Sequence, residues 1–203
     1  MDAIDAVLYI NLEHRVDRNE HIQEELRRAG VPGDKIVRIN ATLRLNGAMG
    51  CTMSHIKALE YVLKHPEWNH ILVLEDDFQF RSLPAASISA LMGIDPEMDV
   101  GLLSYNPASF ESVPTTHPLV HRVMCSHTTS SYIVRQGYVP VLLRNFRDGL
   151  LLMEQNGLSS ANCLDVYWTQ LQPLGRWYAL VPALGHQIES FSDIQKRNVA
   201  YDC

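Results

Sequence analysis

The chain has 203 residues, of which 46% are hydrophobic, 20% charged and 8% aromatic. That length fits one ordinary domain of ~100–200 residues, and that composition excludes a disordered chain. The formal charge of −6, with no basic run to offset it, excludes a surface that tracks nucleic-acid phosphates.

Met1-Asp2-Ala3-Ile4-Asp5 carries acids where a secretory leader carries positive charge, so it reads as the lead-in to a strand and the expected location is cytoplasmic. Ala6 to Ile10 is that strand. The charged segment after it places Ile22, Leu26 and Ala29 on one stripe, predicting a helix that Gly30 and Pro32 end. A second strand is expected over Ile36 to Ile39, then a polar loop from Asn40 to Gly50. A helix follows around Ser54 to Leu63, with Ile56, Leu59 and Leu63 toward the sheet. His70 to Leu74 is almost continuously apolar, as in a central parallel strand covered on both faces, and it ends in Glu75-Asp76-Asp77.

Further on, Leu83 to Leu91 reads as a helix and Asp99 to Leu103 as a strand. Asn106 to Pro118 reads as a long surface loop bordering a site. Tyr132 to Val134 is a predicted strand and Tyr138 to Arg147 a helix. Leu164 to Leu171 is another helix, with Asp165 near its start, and Ala179 to Asp193 mixes a short strand with loop. The alternation predicts an α/β domain over 1–203, with an open, mostly parallel sheet flanked by helices. No apolar run approaches the ~20 residues that span a bilayer, so no transmembrane segment is expected. Cys51, Cys125, Cys163 and Cys203 form no C-x-x-C pair and read as buried or incidental thiols.

Ligands of parallel α/β sheets bind beyond the carboxyl ends of the strands, where Glu75-Asp76-Asp77 falls. Continued strand geometry would put Glu75 and Asp77 on one face and Asp76 on the other. Co-facial carboxylates repel unless a cation lies between them, and Mg²⁺ or Mn²⁺ held this way completes its shell with substrate phosphates. The same acids also suit a solvated turn. Arg15 and Arg18 follow the first strand and Arg38 comes in a similar place after the second, each suited to phosphate or to a solvated face. Gly50-Cys-Thr-Met-Ser54-His55 reads as a helix start able to receive an anion. Neither G-x-G-x-x-G nor the P-loop pattern occurs.

Four segments in order, Tyr-Ile-Asn-Leu-Glu-His-Arg-Val-Asp-Arg (9–18), Arg-Ile-Asn-Ala (38–41), Gly-Cys-Thr-Met-Ser-His (50–55) and Leu-Val-Leu-Glu-Asp-Asp (72–77), resemble glycosyltransferase family 25. That family includes lipopolysaccharide and lipooligosaccharide galactosyltransferases and procollagen galactosyltransferases. The resemblance implies a GT-A-like, Rossmann-like fold and a uridine diphosphate (UDP) sugar donor, galactose or glucose. It also implies a divalent metal, Mn²⁺ before Mg²⁺, and inverting transfer to a glycan or hydroxylysine-type hydroxyl. The donor half would be about 1–80 and the acceptor half about 81–203.

By the same resemblance, Asn11, Arg15, Arg18, Arg38, Ala41, Ser54, His55 and Asp76 are donor-side residues. Asp77 is the first metal ligand, with Glu75 or Asp76 assisting and His186 completing the shell. Asp165, ahead of the aromatic pair Tyr167-Trp168, is the first choice of base and Asp193 the second. A nucleotide-sugar-binding module without turnover and a Mg²⁺-dependent phosphoryl-transfer domain are the rival readings.

Overall fold

A computed structural model describes residues 1–188, together with the backbone of 190–192 and 197–199. The first elements are β1 (Ala6–Asn11), α1 (Val16–Arg28), β2 (Ile36–Asn40), α2 (Gly47–Val62), β3 (His70–Glu75) and β4 (Phe78–Phe80). Next come α3 (Ala85–Gly93), β5 (Val100–Leu102), β6 (Glu111–Pro114), β7 (Val120–Cys125), β8 (Ser131–Arg135) and α4 (Val139–Asn156). Then follow α5 (Leu164–Tyr167), β9 (Trp177–Leu180), β10 (Gly185–Gln187), β11 (Ser190–Ser192) and β12 (Arg197–Val199).

Eight strands form one sheet in the order β2-β1-β3-β8-β5-β9-β7-β6. β1, β2, β3, β5, β6 and β9 run one way, while β7 and β8 run against them. The expected α/β domain with a mostly parallel sheet is therefore present, with the two reversed strands making it mixed.

Side-chain alternation explains why the central strands read as unbroken apolar runs. On β1, Ala6, Leu8 and Ile10 enter one core with Ile56, Leu59 and Val62 of α2 and Leu142 and Phe146 of α4. Val7 and Tyr9 enter a second core with Ile22 and Leu26 of α1 and Ile88 and Leu91 of α3. β3 splits likewise, Ile71 and Val73 facing one core and Leu72 and Leu74 the other. A strand buried on both faces has no polar side to show. Among the described residues no helix is long and apolar enough to cross a membrane.

Three expectations are corrected. α2 begins at Gly47, because the Asn46 side chain accepts from the Ala48 and Met49 amides at 3.1 and 3.3 Å, and Leu63 is its exposed C-cap. Ser54 and His55 thus lie past the second turn, not at the helix start. The segment 106–118 is no featureless loop. After a short 3₁₀ turn at Pro107–Ser109, β6 forms an edge hairpin with β7, whose Val120 and Val123 are buried. The helix expected over 164–171 is α5 for one turn and then a 3₁₀ turn, Trp168–Leu171.

β4 and β10 form a separate antiparallel ribbon that returns the chain near residue 187 to the end of β3. The ribbon is closed by a close approach at Gly185, where a Cβ would lie 2.1 Å from Phe78 Cζ and 2.5 Å from the Gln79 carbonyl oxygen. Gly185→Ala is expected to push β10 off β4 and to cost about 2 kcal/mol or more, measurable by denaturant unfolding.

Candidate functional site

β1 and β3 are parallel neighbours, so their carboxyl ends deliver Asn11 and Glu75 to the same edge of the sheet. A pocket of about 120 Å³ opens there, walled by Ala41 to Arg44, by the amino-terminal half of α2 and by the three acids after β3. Gly50 permits the wall to close, since a Cβ there would meet the Thr42 carbonyl oxygen at 2.6 Å. Ser54 fastens it further: its hydroxyl accepts from the Thr42 amide at 2.8 Å and donates to the Gly50 carbonyl at 2.6 Å.

β3 ends at Glu75, and Asp76 and Asp77 form a turn, so strict strand alternation stops and all three acids reach the pocket. Arg18 on α1 is the cation among them, 3.0 Å from Asp76 Oδ1 and 2.9 Å from Asp77 Oδ2. Asn11 donates to Asp76 Oδ2 at 2.7 Å and accepts from Arg38 at 2.7 Å. Gln187 Nε2 sits between Glu75 Oε2, at 3.4 Å, and Asp77 Oδ1, at 3.1 Å. Glu75 Oε1 also takes the Thr129 hydroxyl at 3.3 Å. Thr128, just before, has φ 84°, a strained value for a β-branched residue.

The electrostatics follow from three carboxylates sharing one guanidinium. Burial, then the charge of Glu75, pushes the Asp77 carboxyl from 3.8 to about 7, against the opposing pull of Arg18. Asp76 is raised by burial despite Arg18 and Asn11. Burial also pushes Glu75 upward, but the hydrogen bond and charge of His55, the Thr129 hydroxyl and Arg18 hold it below its ordinary value.

Of the donor-side candidates, Arg18, Ala41, Ser54, His55 and Asp76 line the pocket. Asn11 lies beneath it, buried, as the brace between Asp76 and Arg38. Arg15 makes a two-pronged contact with Asp17 at 2.9 and 2.8 Å, and Arg38 opens instead on a neighbouring hollow with Lys57 and Lys64. Glu75 and Asp77 stand together, whereas His186 does not join them. It alternates with Gln187 on β10 and so faces the other side of the ribbon, where the charges of Arg81 and Glu25 act on it. Asp165 stands in the first turn of α5, outside the pocket lining. Burial raises its carboxyl, and the charges of His127 and Glu75 reach it. Asp193 lies outside the described residues.

Gln187 and Cys51 are among the pocket residues that carry no functional reading in the sequence. Gln187 is brought in only by the β4–β10 pairing. Cys51 lies one helical turn before His55 and lines the same wall, so its thiol is not incidental to the pocket.

The donor set suits a hard divalent cation. Glu75 and Asp77 offer oxygens bridged by a single amide, and among the described residues the three acids face the Arg18 guanidinium and the His55 ring. Those two residues would hold it.

No protein-family model and no curated protein matches the chain. Among solved structures, one similar to it is a glycosyltransferase involved in the glycosylation of the major capsid of PBCV-1. The TM-score is 0.54 at 12% identity, over 86% of this chain and 80% of that one. A197 from STIV is also similar, with a TM-score of 0.50 at 14% identity over 98% of this chain and 95% of that one. These likenesses are of fold. Together with the sheet order and flanking helices they make the domain GT-A-like α/β.

Proposed function

We propose that the chain is a glycosyltransferase that moves a hexose, galactose or glucose, from a UDP-sugar to a hydroxyl of a glycan or hydroxylysine-type acceptor. The observation that carries this reading is the row of three acids at the carboxyl end of a central strand, facing a pocket in a GT-A-like sheet. The four sequence segments that resemble family 25 converge there: Arg18, Ala41, Ser54 with His55, and Glu75 to Asp77 all border one space. The capsid-modifying glycosyltransferase of similar fold supports the same class of chemistry.

In this reading Glu75 and Asp77 would hold Mn²⁺ or Mg²⁺, which when bound would supply positive charge against the diphosphate leaving group. The protein's own residues do the rest. Arg18 fixes Asp76 and Asp77 in place and limits their mutual repulsion. Gly47 and Gly50 bring the amino-terminal half of α2 to the pocket wall, where the helix dipole favours a phosphate. Asp165, with a carboxyl raised by burial, accepts the proton of the acceptor hydroxyl as that oxygen attacks the sugar carbon opposite the leaving group.

A panel of UDP-sugars with and without Mn²⁺, read by release of UDP, tests the proposal. Metal-dependent release from one UDP-hexose is expected, with no phosphate released from a generic phosphomonoester. If no UDP-sugar is bound by calorimetry or hydrolysed with any metal, the reading is wrong. Uridine diphosphate binding without turnover would instead mark a binding module.

A further inference from the structure

Cys51 and His55 are four residues apart on α2, so both side chains leave one face of the helix. That face looks at the end of β3. The Cys51 sulfur, a His55 ring nitrogen and a Glu75 carboxylate oxygen all lie within 4.8 Å of one another. All three residues line the pocket.

His55 Nε2 and Glu75 Oε1 are 3.4 Å apart. This is long for a hydrogen bond, and it matches the edge of a tetrahedron whose nitrogen and oxygen ligands lie ~2.0–2.2 Å from a first-row cation. The other ring nitrogen, Nδ1, is 3.1 Å from the Tyr132 hydroxyl. That hydroxyl donates or accepts equally well, so the imidazole can present the Nε2 lone pair to a cation without losing its second partner. The Cys51 sulfur lies within 4.8 Å of the other two ligand atoms, and rotation about its side-chain torsion can bring it to the remaining corner.

We infer that Cys51, His55 and Glu75 form an open three-ligand site for a thiophilic divalent cation of the zinc class. Mixed sulfur, nitrogen and oxygen donors select such an ion over Mg²⁺ or Mn²⁺, which prefer oxygen alone. Three protein ligands leave a fourth position, and here it faces the pocket. On binding, the thiol proton leaves to solvent and the sulfur becomes a thiolate ligand, so one proton is released for each cation taken up. The site shares Glu75 with the oxygen pair assigned to Mn²⁺ or Mg²⁺, but its thiolate signature is read by binding alone, without an assay of sugar transfer.

Cobalt(II) added to the metal-stripped chain provides the test. A thiolate-to-cobalt charge-transfer band and strong visible d–d absorption are expected, both bleached by equimolar Zn²⁺. Cys51→Ser is expected to abolish the charge-transfer band and weaken Zn²⁺ binding by about tenfold or more, while Cys125→Ser on β7 changes neither. Glu75→Gln, which keeps a side chain of the same shape, is expected to retain the band with Zn²⁺ affinity again lowered about tenfold or more. Absence of a thiolate band in the unaltered chain, or its survival in folded Cys51→Ser, overturns the inference. If Cys51→Ser does not fold, unchanged Zn²⁺ affinity in Glu75→Gln overturns it.

Discussion

Asp77→Asn, unfolded by denaturant in the presence of EDTA, is expected to be more stable than the unaltered chain at pH 8 by about 2 kcal/mol, and to lose that advantage by pH 4. Asp77 is 3% exposed, and its carboxyl is raised from 3.8 to about 7 by burial and by Glu75. Below about pH 4 the group is protonated in both folded and unfolded chains and imposes no penalty. Between there and about pH 7 the unfolded chain ionises while the folded one resists, so stability falls as the pH rises. Above about pH 7 both are ionised and the penalty is complete. The interval between the two values sets a ceiling of about 4 kcal/mol, and the hydrogen bonds from Arg18 and Gln187 that asparagine keeps only in part bring the gain down. Glu75 runs the other way: its lowered value gives stability above its ordinary range that is lost in acid, and because its charge helps raise Asp77 the two carboxyls titrate together rather than independently. The same variant is expected to lose UDP release with Mn²⁺ by about 100-fold or more. A stabilised, inactive variant is the signature of a carboxylate kept for function at the expense of the fold; equal stability at pH 8 and pH 4 would contradict it.

The parts of the molecule legible in the sequence are those where one physical cause dominates a short stretch. Ile71 to Leu74 had to be apolar on both faces because two helical layers cover it, and the acids that follow could not share that burial without a partner. The partner, Arg18, was visible as a residue after β1 but not as an ion pair, since contact between residues 18 and 76 depends on α1 packing back across the sheet. Gln187 was out of reach for a related reason. A polar residue in a short strand has no period to betray it, and only the pairing of β10 with β4 brings it between Glu75 and Asp77. The same pairing sends its neighbour His186 to the far side of the ribbon. The start of α2 is not legible in the sequence because Asn46 and Gly47 read as loop, although that asparagine is the cap. The β6–β7 hairpin hid behind its prolines and threonines, as edge strands with one buried face often do.

Arg18→Met is expected to destabilise the chain by about 3–5 kcal/mol at pH 8, because it leaves Asp76 and Asp77 buried with their shared guanidinium gone. Both carboxyls already sit above their ordinary values, so the loss is expected to shrink toward pH 5 as they take up protons in the folded state. Combining Arg18→Met with Asp77→Asn removes one of the stranded charges, and a double-mutant cycle is expected to return about 1–3 kcal/mol of coupling. Divalent ions separate two roles of Arg18. If it serves chiefly to hold apart carboxylates destined for a cation, then arginine and Mn²⁺ compete for the same oxygens, and Mn²⁺ raises the unfolding midpoint more in Arg18→Met than in the unaltered chain. If Asp77 is a purely structural partner of the arginine, Mn²⁺ restores nothing to the variant. Unfolding of both proteins across a Mn²⁺ series distinguishes these outcomes without any assay of sugar transfer.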